Sequence, residues 1–288
     1  SSLLGLAADR VLGDWSSAVE SALTLEEELL KSPRRIGSGK WSFVPLIYEA
    51  MMFTGLLGGD LDLAERAALH GLTIARAEDS PVTVDTLSAL ALISAIRGHT
   101  DVAKGYLGEA DREKHRFGLQ QSKNSMATAS VARATVLLSE GKLDEAAEEL
   151  ELPEQDIVRI DAWEQFATVE ARVNRYRYGN RDALLTLRRR ITDAGVNRMS
   201  HSSASRMTAE VANLLIYQGE LVPARQLLGL PLTSTPALSL ARARLALVSG
   251  EHAEALALAE RAKGLGDWSE NSVANFLVAI ALDADGDR

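Results

Sequence analysis

One phrase recurs along this chain and limits its fold more than any other feature: a glycine, a polar residue, and an alanine five positions past the glycine. Gly13-Asp14 is followed by Ala18, Gly59-Asp60 by Ala64, Gly98-His99 by Ala103, Gly141-Lys142 by Ala146, Gly219-Glu220 by Ala224 and Gly250-Glu251 by Ala255. Gly179-Asn180 is a slipped copy, with Ala183 only four positions on, and Gly286-Asp287 is a last turn at the end. Successive glycines lie 46, 39, 43, 38, 40, 31 and 36 residues apart, an average of 39. Glycine closes a helix at positive φ without steric cost. An acidic follower suits the positive end of the next helix dipole. The alanine lets a neighbouring helix come close. A period of this size means stacked helical hairpins.

A second small residue tests the idea. Seven positions before the glycine stand Ala91, Ala134, Ala212 and Ala243, where the first helix of a hairpin is expected to cross the second. Aromatics make up only 5% of the chain, so the core has to be built from alanine and leucine, which suits close helix pairs better than a sheet. No alternation of period two is long enough to compete. The fold class expected is all-α.

Cap and breaker signals place helices at about 3–12, 15–31, 43–57, 61–77, 81–97, 100–117, 122–140, 143–150, 155–178, 181–194, 202–218, 221–229, 238–249, 252–264 and 269–284. Ser42 is the expected cap of its helix, with Pro45 in the first turn. Pro81 is expected at a first helical position, and Pro223 in a first turn. The clearest loops are 32–40 and 230–236. The chain begins without methionine and stops at a turn whose second helix is absent, so the expectation is a fragment of a longer array.

Small residue, turn glycine and following alanine together resemble the tetratricopeptide repeat. The resemblance covers nearly the whole chain. It implies one repeat domain over 1–288, a right-handed superhelix (solenoid) of about seven hairpins. The repeats depart from the pattern in lacking most of the Trp-x2-Leu-Gly-x2-Tyr start and the closing proline, and the period exceeds the usual ~34 residues. In such a superhelix the first helix of each hairpin lines a concave groove. Counting 13, 10, 6, 3 and 2 positions back from each glycine selects Glu49, Phe53, Asp85, Tyr176, Arg177, Arg206, Asn213, Tyr217 and Arg244 as candidate groove residues. Phe53 and Tyr176 read equally well as core.

Little else suggests chemistry. The five histidines, His70, His99, His115, His201 and His252, match no metal-ligand spacing. There is no cysteine for a disulfide or a thiolate site. Gly37-Ser38-Gly39-Lys40 has Arg34 where a phosphate loop needs its first glycine, and Trp41 where it needs Ser or Thr. No enzyme, cofactor or metal is expected. A net charge of −9 speaks against direct nucleic-acid binding. No apolar run reaches the ~18 residues of a membrane helix, and a cytoplasmic protein is expected.

The strongest local anomaly is an arginine belt: Arg172, Arg175, Arg177, Arg181, Arg188, Arg189, Arg190, Arg198 and Arg206, with Asp182 and Asp193 interspersed. An acidic stretch precedes it: Glu140, Asp144, Glu145, Glu148, Glu149, Glu151, Glu154 and Asp156. Two readings stand. Adjacent hairpins neutralise each other through surface pairs, or the arginine forks hold an anionic ligand or an acidic partner segment.

The long period, the Ala-Leu-rich hairpins and the phrase Leu240-Ala241-Arg242-Ala243-Arg244-Leu245-Ala246-Leu247 resemble the repeat region of MalT-like, LuxR-type transcriptional regulators. That resemblance implies a sensor that receives a small-molecule inducer or a protein segment. It also implies an ATPase module and a helix-turn-helix module elsewhere in the full-length chain. The alternative is a protein-interaction scaffold unrelated to transcription.

Overall fold

The computed structural model describes residues 5–6, 15–31, 43–119, 123–151, 163–194, 201–232, 234–263 and 268–285. These residues hold helices and no strand. In chain order the helices are α1 (Trp15–Lys31), α2 (Val44–Gly58), α3 (Leu61–Ala77), α4 (Val82–Ile96), α5 (Thr100–Phe117), α6 (Lys123–Ser139) and α7 (Leu143–Glu149). They continue with α8 (Trp163–Tyr178), α9 (Asn180–Ala194), α10 (His201–Tyr217), α11 (Leu221–Leu228), α12 (Pro236–Val248), α13 (His252–Ala262) and α14 (Trp268–Asp285). The expected helices are thus present to within a few residues wherever the chain is described. The Gly13 and Gly286 turns, Ser42, the 32–40 loop and residues 155–162 lie outside the described residues.

The recurring phrase folds the same way five times. Gly59, Gly98, Gly141, Gly219 and Gly250 all have φ between 75° and 83°, the left-handed region that glycine enters without a Cβ clash. The polar follower then serves both helices of the hairpin. Its N–H closes the first helix by reaching a carbonyl five residues back: Asp60 to Gly55, His99 to Ser94, Lys142 to Leu137, Glu220 to Leu215 and Glu251 to Ala246, at 2.8–2.9 Å. Its carbonyl opens the second helix by accepting from Ala64, Ala103, Ala146, Ala224 and Ala255 respectively. Asp60 adds a side-chain cap, accepting from the Leu63 N–H at 2.8 Å. His99, Lys142, Glu220 and Glu251 make no such bond. The phrase therefore demands a backbone conformation and tolerates any polar side chain after the glycine.

The alanines mark where helices touch. Ala64, Ala103, Ala146, Ala183 and Ala224 are fully buried and Ala255 nearly so; Ala91, Ala134, Ala212 and Ala243 are fully buried on the first helices. Each first-helix alanine stands twelve positions before its partner. The slipped copy keeps that spacing: Ala171 precedes Ala183 by twelve, and both are buried. Only the glycine has moved. Gly179 (φ 100°) follows α8 directly. It both donates to the Arg175 carbonyl at 3.0 Å and accepts from Ala183 at 3.3 Å, so it performs the work of glycine and follower together. Helix crossing sets the register of the repeat, and the glycine shifts to fit it.

The chain forms two compact units. The first comprises Ser1–Ala95 and His99–Phe166, the second Ile96–Gly98 and Ala167–Arg288. The first unit packs α1 to α5 around Met51, Met52, Leu63, Leu87, Leu90 and Ile93, all at most 1% exposed. The α2–α3 crossing is close enough that a Cβ on Gly55 would lie 2.6 Å from the Ala64 nitrogen. Every residue of α4 from Val82 to Ala95 except Asp85 is buried, thirteen in all. A helix apolar on every side belongs in an interior. Pro81 stands one place before this helix, in a turn where Thr83 and Val84 donate to Ser80 and Pro81. Pro45 and Pro223 lie in first turns as expected. In the second unit α12, α13 and α14 meet through Leu240, Ala243, Leu258, Ala259, Ala274 and Leu277. A triad of Ala246, Ala255 and Ala281 packs beside them.

Two more helix ends in the first unit are closed outside the recurring phrase. Gly118 (φ 69°) ends α5, and Asp79, at φ 53°, ends α3 although it is not a glycine. Asp79 also accepts an ion pair from Arg116, which bonds Glu113 as well. These carboxylates raise the Arg116 pKa further.

Candidate interaction surface

The first helices of three successive hairpins, α8, α10 and α12, carry the features that stand out. Arg172 of α8 donates to Glu210 of α10 at 2.6 Å. The Arg175 guanidinium lies over the Tyr217 ring with its carbon 4.1 Å from the centroid, and the Arg244 guanidinium, from α12, is over the same ring at 5.2 Å. Arg244 also donates through Nη1 to Asn213 Oδ1. Among the described residues neither Arg175 nor Arg244 has an ion pair. Tyr217 is 42% exposed and Tyr176, whose ring lies 5.9 Å from Arg175, is 64% exposed. Two guanidinium groups with no ion pair among the described residues thus lie against one partly exposed tyrosine ring.

Of the nine candidate groove residues, the structure joins three: Asn213, Tyr217 and Arg244. Tyr176 belongs to the same patch through Arg175. Arg177 does not join; its guanidinium lies over Tyr178 at 5.0 Å. Arg206 is half-buried on α10. In the first unit Glu49 and Asp85 are half-buried on α2 and α4. Phe53, 6% exposed, packs in the core beside Met52 and Leu56. Its place six positions before Gly59 is taken up by the interior, so it offers no binding surface.

Arg175, a member of the arginine belt, is passed over by the groove count because that count starts from Gly179. Counted from the alanine pair, the reference position is 178, and the offsets of six, three and two give Arg172, Arg175 and Tyr176. The three residues that make the ladder from α8 are then in register with Asn213 and Tyr217 on α10 and with Arg244 on α12.

The arginine belt resolves into two kinds of residue. Arg190, 4% exposed, makes two parallel bonds of 2.7 Å to the Glu170 carboxylate, and Arg189 approaches the same carboxylate at 3.6 Å. These arginines hold α9 on α8. Arg175, Arg181 and Arg188 have no carboxylate partner among the described residues. Glu170 and Glu210, which pair with belt arginines, each stand on a first helix of the second unit. In the acidic stretch Glu140 receives Lys104 and Lys142, and Glu149 receives Arg133 at 3.8 Å. Those lysines hold the Glu140 carboxyl below the usual carboxylate range, Lys104 contributing more than Lys142, and Glu140 raises Lys142 in turn. Arg198, Glu154 and Asp156 lie outside the described residues.

An open cleft of about 320 Å³ lies on the α8–α9 hairpin, lined by Asn174, Tyr178, Asp182, Leu185, Thr186 and Arg189. Asn174 donates to Thr186 across it at 2.9 Å. No helix of the described residues is long and apolar enough to cross a membrane.

Comparison with known proteins gives structural neighbours only. A tetratricopeptide repeat protein from Parabacteroides merdae is similar to this chain at 14% identity and a TM-score of 0.40, over 83% of this chain and 99% of that one. PilF of Pseudomonas aeruginosa is similar at 18% identity and a TM-score of 0.42, over 82% and 97%. No family model matches the chain, and no curated protein matches it. The MalT-like resemblance finds no counterpart in these comparisons. Among the described residues the chain is an all-α array of helical hairpins.

Proposed function

We propose that this protein is a non-catalytic interaction scaffold that holds a segment of a partner protein on the first-helix face of its second unit. The supporting observation is the ladder of Arg175, Tyr217 and Arg244 with exposed Tyr176 beside it. Tyrosine and arginine are the side chains that anchor protein interfaces, because each offers a large, stiff contact area with a polar edge. Two exposed rings, Tyr176 and Tyr217, stand here on successive first helices together with two arginines, so anchors of both kinds meet at one patch.

The test is to pan a random peptide library against the full chain and measure the enriched peptides by calorimetry. A peptide at 100 times its Kd should also stabilise the fold by about 2.7 kcal/mol. Tyr217→Ala should weaken the enriched peptides about tenfold, as loss of an anchor does. If nothing enriches, or if enriched peptides bind the Tyr217→Ala variant unchanged, the proposal is wrong. Stabilisation by sugars or organic acids with no peptide enriched would point instead to an inducer-sensing domain.

A further inference from the structure

We propose that the segment held at this ladder is acidic, and that Arg175 and Arg244 receive its carboxylates as a pair of forks over Tyr217. This deepens the scaffold reading and rests on it.

The charges of the site itself support this. Residues 167–194 carry seven arginines against three acids, a net +4 within a chain of net −9. Glu170 is consumed by Arg190 and Arg189, and Glu210 by Arg172. Of the arginines left without a carboxylate among the described residues, Arg175 and Arg244 lie near one ring centroid, 4.1 and 5.2 Å away. Each is a cation with no carboxylate among the described residues, so a carboxylate brought to it gains a charge-assisted bond without breaking an existing pair. The geometry is prepared in advance: the ring supports both planar groups, and Asn213 Oδ1 holds one N–H of Arg244. A planar guanidinium lying over a ring keeps its N–H edge turned outward, which suits the two oxygens of a carboxylate. Neighbouring acidic side chains on one extended segment can reach both forks.

A nucleic acid shares the negative charge but fits less well. The Tyr217 ring is already occupied by guanidinium groups, so it offers no free platform for a base. Residues 1–166 carry a net charge of −11, which repels a long polyanion but tolerates a short acidic segment.

The probe is fluorescein-labelled deca-glutamate, followed by anisotropy at low salt on the full chain. It should bind, and weaken as salt rises. Arg175→Gln and Arg244→Gln should each weaken it about tenfold, the loss of one charge-assisted pair. Arg181→Gln and Arg188→Gln remove the same charge from exposed positions off the ladder and should change it less than about twofold. Tyr217→Leu, which alters no charge, should weaken it as much as either ladder arginine does. Equal losses from all four arginine variants would reduce the effect to net charge and overturn the proposal. Failure of deca-glutamate to bind would do the same, as would a tighter complex with oligothymidylate through the same arginines. Enriched library peptides that are not acidic, yet require Tyr217, would overturn the acidic partner while leaving the scaffold intact; an empty library would remove both.

Discussion

Helix α4 in the first unit and helices α8, α10 and α12 in the second occupy the same place in their hairpins, and they are used in opposite ways. Six positions before the reference point α4 has Leu92, fully buried, where the others have Arg172, Asn213 and Arg244. Two positions before it α4 has Ile96, where α8 and α10 have Tyr176 and Tyr217, both exposed. The position six back is thus interior in α4 and solvent-accessible in the others, while two back a half-buried isoleucine stands where the others have exposed tyrosines. The turn and the alanine crossing are common to both, because they build the hairpin. The remaining face is left for the residues at six, three and two positions back to decide.

The strongest way to break this comparison is to exchange those residues. Leu92→Arg puts a long charged side chain at a site with no exposure and no partner. It is expected to destabilise the protein by more than about 4 kcal/mol, the range of an unpaired buried charge, in urea unfolding. The reverse exchange, Arg244→Leu, should change stability by less than about 1 kcal/mol while removing peptide binding. If both exchanges cost the same, the two faces are not different in kind.

Within the second unit, the arginines themselves divide. Arg190→Ala removes the two-bond partner of a carboxylate that is only 16% exposed, leaving Arg189 at 3.6 Å, and should cost about 3 kcal/mol. Arg188→Ala, two positions before it and exposed, should stay within about 0.5 kcal/mol. Arg190→Ala tests architecture and Arg175→Gln tests binding. A variant of Arg175 that unfolds the protein would place it with Arg190 instead.

The glycines carry a similar contrast, of smaller size. On Gly55 a Cβ would meet backbone atoms of Ala64 and Asp60 at 2.6–2.9 Å, and backbone cannot step aside. Gly250 has nothing within 4 Å, and only its φ of 78° resists a side chain. Gly55→Ala should cost about 3 kcal/mol, the upper range for overpacking. Gly250→Ala should cost about 1–2 kcal/mol, that of a left-handed non-glycine residue. Thermal melts of the two variants rank them.

The hairpins were legible in the sequence because their two requirements, positive φ and small volume, each select a residue type. Gly219 and Ala224 could be replaced by little else. The surface was legible only in part. Asn213, Tyr217 and Arg244 came out of counting from the glycine, but Arg175 did not, since Gly179 lies one position later than its alanine pair requires. The partners of the belt were hidden for a different reason. Glu170 and Glu210 stand 20 residues before Arg190 and 38 after Arg172. Proximity in sequence sets Glu170 beside Arg172 and Glu210 beside Arg206, and does not reveal these longer pairings. Phe53 illustrates a third limit. A groove position and a core position on a short-sided helix differ by a small rotation, and composition does not record it.

The smallest expected effect concerns the acidic stretch, whose reading as a neutralised surface contrasts with the open ladder. Lys104 and Lys142 favour the charged form of Glu140, so its pKa is depressed in the folded state. For a depressed acid the favourable contribution is present above the unfolded pKa and fades as pH falls through the folded one. The Glu140 carboxyl resonance should therefore titrate below the ordinary glutamate range, and Lys104→Ala should move its midpoint upward. Because Glu140, Lys104 and Lys142 are all at the surface, global stability should barely follow this change, and moderate salt should erase it. Deca-glutamate binding should be indifferent to Lys104→Ala, since that lysine already has its carboxylate in Glu140, whereas Arg175 and Arg244 have none. A loss of binding in Lys104→Ala would mean that the probe reads positive charge anywhere on the molecule, and the distinction between satisfied and unsatisfied cations would lose its meaning.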